Sequence, residues 1–70
     1  MTNFFNKKLK DGKLLDAYER GIEYQRAGDY QSAVKELTSV IEADPFFIEA
    51  YNSLGLTFKR MGDFDNAIKY

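Results

Sequence analysis

The feature that most constrains this 70-residue chain is that it repeats itself at an offset of 34 residues. At that offset Gly21 meets Gly55, Arg26 meets Arg60, Gly28 meets Gly62, Asp29 meets Asp63, Ala33 meets Ala67 and Lys35 meets Lys69. Conservative pairs fill the gaps: Ile22 with Leu56, Tyr24 with Phe58, Tyr30 with Phe64, Val34 with Ile68. The agreement falls on glycines, small residues and large apolar residues, the positions that packing dictates.

Within each unit the apolar residues recur at three- and four-residue steps, the period of a helix with one buried face. Tyr30, Ala33, Val34, Leu37, Val40 and Ile41 form one stripe. Ile48, Tyr51, Leu54, Gly55, Phe58 and Met61 form another, and Leu14, Ala17, Tyr18, Gly21, Ile22 and Tyr24 a less regular third. Gly28 and Gly62 follow two of these stripes, where a helix end favours a residue tolerant of left-handed backbone. Arg26, Lys59 and Arg60 precede them and suit the negative end of a helix dipole. Asp29 and Asp63 come next and suit N-caps. Pro45 after Asp44 closes one unit and is expected to open the next. These signals predict an all-α chain of four antiparallel helices at about 14–27, 30–43, 47–61 and 64 onward, joined by very short turns. Tyr24, Tyr30, Phe58 and Phe64 are expected in the core.

Paired helices with this period resemble the tetratricopeptide repeat. In the second unit Tyr51, Leu54-Gly55, Phe58 and Ala67 stand at that family's signature positions. In the first, Ala17, Arg20-Gly21, Tyr24, Ala33, Leu37 and Pro45 do. Arg20 replaces a leucine, Ala17 and Leu37 are smaller than the family's aromatics, and Val40 is larger than its usual alanine. The packing of the first helical pair is therefore expected to be looser or shifted. Gly28-Asp29-Tyr30 and Gly62-Asp63-Phe64 are similar to the family's turn between helices. The expected organisation is a first repeat at 14–47 and a second at 48–70, a fragment of an α-solenoid that stops inside its fourth helix.

Residues 1–13 read as a separate leader, set off by Gly12 and basic through Lys7, Lys8, Lys10 and Lys13 against Asp11. Phe4, Phe5 and Leu9 leave three readings open: a solvated arm, a short cap over the first helix, or contact with an anionic membrane. The segment is too short to hold a membrane surface by itself.

The resemblance implies a protein-binding scaffold in which the first helices of successive repeats line a concave groove. The matching positions are Leu15, Tyr18, Ile22, Gln25 and Arg26 in the first repeat. In the second they are Glu49, Asn52, Ser53, Leu56, Lys59 and Arg60. An apolar strip with a basic end suits an extended peptide or a helix bearing apolar anchors and an acidic group. The family's clamp for C-terminal carboxylates of chaperone tails is absent in this register: Tyr18, Ile22 and Ser53 stand where that clamp has Lys and two Asn.

Other function classes find little support. The chain has no Cys and no His, hence no thiolate nucleophile and neither the commonest general base nor the commonest metal ligand. An enzyme is not expected, nor a metal or cofactor. Glu19 and Glu23 read as a solvated face, and Asp63-Phe64-Asp65-Asn66 as a helix start without the glycine and distal Glu of a calcium loop. With 10 Lys+Arg against 11 Asp+Glu the net charge is −1, and everything after the leader is acidic. A phosphate-binding stripe is not expected. No signal sequence or membrane span is read, which makes the cytoplasm the default compartment.

A core this small supplies only about 3–5 kcal/mol without a disulfide, metal or partner. Arrays of this kind bury each repeat against its neighbours. Phe64, Ala67 and Ile68 are therefore expected to form a face covered by further repeats of a longer chain or by another copy, which makes self-assembly the alternative function.

Overall fold

The computed structural model describes residues 11–70. They form four α-helices: α1 at Asp11–Ala27, α2 at Tyr30–Ala43, α3 at Ile48–Met61 and α4 at Phe64–Lys69. Each packs antiparallel on the next, so α1 and α3, the first helices of the two units, run parallel. Phe4, Phe5, Leu9 and their lysines lie outside the described residues. Helix α1 begins at Asp11 and runs through Gly12, a few residues before the expected start near residue 14. One glycine near a helix end costs only about 0.5–1 kcal/mol, which the packed face downstream offsets.

The turns between paired helices follow from two adjacent residues. Gly28 and Gly62 each adopt φ 84°, open to glycine without strain. At the first turn the amide of Gly28 donates to the carbonyl of Gln25 and that of Asp29 to the carbonyl of Tyr24. Gly62 and Asp63 repeat this toward Lys59 and Phe58. Both are Schellman ends. The following Asp caps the next helix: the Asp29 carboxylate accepts from the Ser32 amide, and the Asp63 carboxylate from the Asn66 amide.

The connection between repeats differs from expectation. Pro45 opens a tight turn rather than a helix. Asp44 Oδ1 accepts from the Phe46 amide at 3.0 Å, and the Asp44 carbonyl accepts from the Phe47 amide. Pro45 thus takes the second position of the turn, where its fixed φ fits, and α3 starts three residues later.

The core lies among three helices. Ala17, Leu37, Val40, Ala50 and Leu54 are buried together, with Leu14, Tyr18, Val34, Ile41, Phe47, Phe58 and Tyr70 packed around them. Helix α1 lies close to α2 at Gly21, where a Cβ would meet the Leu37 side chain at 2.8 Å. Tyr70 covers the middle of α3 beside Gly55, stacked on Phe58 at 5.6 Å between ring centroids.

Two of the four aromatics expected in the core are outside it: Tyr24 and Phe64 are exposed, while Tyr30 and Phe58 are half-buried. Helical spacing identifies an apolar stripe but not whether a neighbour covers its whole width. Tyr24 stays 37% exposed on α1, and Phe64 60% exposed on α4.

Candidate partner-binding groove

The parallel helices α1 and α3 are tied together by one buried polar residue. Gln25 is 7% exposed. Its side-chain amide donates to the Thr57 hydroxyl at 2.7 Å and to the Ser53 carbonyl at 3.2 Å. The Thr57 hydroxyl donates to the same carbonyl at 2.7 Å. Gln25 was expected to line the groove; it forms the joint between the repeats instead, since its position on α1 points at α3. No local pattern in the sequence marks this bond, because its two ends are 32 residues apart.

Around that joint the other expected positions divide by environment. Tyr18 is half-buried, its ring 5.1 Å from that of Phe47, so it packs against the connection that leads into α3 as well as lining the surface. Phe47 is the residue that the sequence reading missed here, and the Asp44-Pro45 turn is what delivers it to Tyr18. Ile22 and Ser53 are half-buried. Leu15 and Leu56 are exposed, Leu56 by 40%. Glu49, Asn52, Arg26, Lys59 and Arg60 are exposed. Tyr18, Ile22 and Arg26 share one side of α1 at four-residue steps, as Asn52, Leu56 and Arg60 share one side of α3.

A hollow of about 790 Å³ runs along the outer surface of α1 beside Tyr18, Ile22, Arg26, Glu19 and Glu23. A smaller notch of about 530 Å³ lies where Arg60 and Met61 approach the Gly28–Gln31 turn. The electrostatics are those of solvated side chains. Arg26 stands 3.9 Å from Glu23 with both ends exposed, a pair that contributes little. Arg20 pairs with Glu36 of α2 at 3.2 Å. The hydrogen bond and the charge of Glu36 raise the guanidinium pKa above its ordinary value. Among the described residues, no three His, Cys, Asp or Glu side chains converge as metal ligands would, and no helix is long and apolar enough to cross a membrane.

Two pairs of helices, two Gly-Asp turns and a repeat-to-repeat joint are thus in place. A family model described as Tetratricopeptide repeat matches residues 17–47 and again 48–70. No curated protein and no solved structure matches the chain. The chain belongs to the tetratricopeptide-repeat family, a non-catalytic helical scaffold whose repeats mediate protein–protein interaction.

Proposed function

We propose that this chain is an adaptor that holds a partner peptide or helix along the exposed sides of α1 and α3. One observation carries the reading. The first helices of the two repeats are fixed side by side through Gln25, and each leaves an aliphatic residue on the outer side, Ile22 on α1 and Leu56 on α3. Leu15 and Tyr18 extend that strip. Arg26, Lys59 and Arg60 follow it toward the C-terminal ends of both helices. Parallel helices bring those ends together, so an acidic group on the partner finds its counter-charge at one end. The partner is accordingly an extended or helical segment with apolar anchors and an acidic terminus or side chain. The test is Ile22→Glu with Leu56→Glu, which should abolish partner capture and leave helicity intact. Undiminished capture by the double variant would sink the adaptor.

A second reading, self-assembly through α4, is favoured by one observation: Ile68 and Phe64, one turn apart, are 84% and 60% exposed. Ala67 between them is half-buried toward α3 and contributes less.

A further inference from the structure

The surface shared by α1 and α3 has a direction as well as a position. Gln25 reaches residues 28 and 32 positions later on α3, and Tyr18 meets Phe47 at the entry to that helix. Glu19 therefore stands level with Glu49. Arg26 comes just before the level of Lys59 and Arg60. All five are exposed. Glu19, Ile22 and Arg26 share one side of α1, and Glu49, Leu56 and Arg60 share one side of α3. Each helix thus presents an acid, an aliphatic residue and a base in the same order. From acid to base is about 10 Å along α1 and about 16 Å along α3. Helix ends account for Glu49, in the first turn of α3, but not for Glu19, two turns inside α1, where the dipole no longer reaches. Glu19 instead lines the hollow beside Tyr18 and Ile22. Among the described residues neither Glu19 nor Glu49 is held in an ion pair.

We propose that the partner binds as an amphipathic helix lying along α1 and α3 and running in the same direction, with a basic residue in its first turn and an acidic one two to three turns later. The proposal rests on the adaptor reading and adds the partner's form, charge order and direction. A segment laid across the two helices would meet only one of the two charge clusters. A segment laid along them meets both, with its apolar anchors over Ile22 and Leu56. A bound helix also carries its own dipole, positive at its N-terminus and negative at its C-terminus. Running with α1 and α3, it sets the positive end over Glu19 and Glu49 and the negative end over Arg26, Lys59 and Arg60. Running against them, it sets its terminal carbonyls on the two glutamates. Complementary charge of this kind fixes register and direction.

Peptides selected by display from a random library against the full chain test this. They should carry a basic residue about two to three turns before an acidic one, with apolar residues at helical steps between. A spin label on the N-terminus of a selected peptide should broaden the amides of Tyr18, Glu19 and Glu49 more than those of Arg26, Lys59 and Arg60. Glu19→Lys with Glu49→Lys should weaken that peptide roughly tenfold with helicity unchanged, and replacing the peptide's basic residue by Glu should recover most of the loss. Broadening at the opposite end, affinity indifferent to the two lysines, or a peptide bound in extended form across the helices would overturn this inference while leaving the adaptor standing. Shifts only on α2 or α4, or no specific binder, would overturn the adaptor and this inference with it.

Discussion

The side-chain amide of Gln25, in the first repeat, donates a 2.7 Å hydrogen bond to the hydroxyl of Thr57, in the second, at a site closed to solvent. The Ser53 carbonyl receives both of these side chains. This bond fixes how α1 and α3 lie against each other and therefore the shape of the surface between them. Thr57→Val keeps the volume and removes the hydroxyl, leaving the Gln25 amide with Ser53 alone. We expect a loss of about 1–2 kcal/mol, read as a fall in thermal midpoint of roughly 4–8 °C per kcal/mol for a domain of this size. Gln25→Leu combined with Thr57→Val should cost less than the two single losses added, because no polar group is then left unpaired. Additive losses in that cycle would show that the bond does not couple the repeats.

Two glycines of α1 should respond in opposite directions to alanine. At Gly21 the new methyl would meet the buried Leu37 side chain at 2.8 Å, and either that side chain or the helix must shift. A cost of about 1–3 kcal/mol is expected. At Gly12 nothing lies within 4 Å, and Gly12→Ala should stabilise by about 0.5–1 kcal/mol. Chemical denaturation of the two variants checks both signs.

The Gly-Asp turns predict a local effect at the end of the chain. Asp63→Ala removes the carboxylate that accepts from the Asn66 amide at 3.3 Å and from its side chain at 2.8 Å. The cap contributes about 1 kcal/mol, and α4 has only six residues to hold itself together. Amide exchange in α4 should speed up severalfold while α2 is unchanged. Uniform acceleration across all helices would mean that α4 unfolds only with the whole chain.

Much of this architecture is legible in the sequence because its causes are local. The left-handed glycine and the capping aspartate sit next to each other, so Gly28-Asp29 and Gly62-Asp63 announce two helix boundaries at once. The offset of 34 residues then identifies the pairing of helices without reference to distant contacts. What stayed hidden depends on partners far along the chain. Gln25 reads as one more polar residue on the outer side of α1 until Thr57 is brought beside it. Tyr24 belongs to a helical stripe and Phe64 repeats Tyr30 at the 34-residue offset, yet neither signal reveals where the covering neighbours stop. Pro45 carries two compatible signals, helix start and turn, and the Asp44 side chain decides between them by accepting from the Phe46 amide.

The adaptor reading is tested most directly by mapping where a bound peptide sits. Short random peptides would be selected by display against the full chain, and backbone amide shifts recorded as a selected peptide is titrated in. The account predicts shifts gathered on α1 and α3 around Ile22, Asn52, Leu56 and Lys59, and their loss in the Ile22→Glu, Leu56→Glu variant. Shifts confined to the outer sides of α2 or α4, or a library that yields no specific binder, would contradict it.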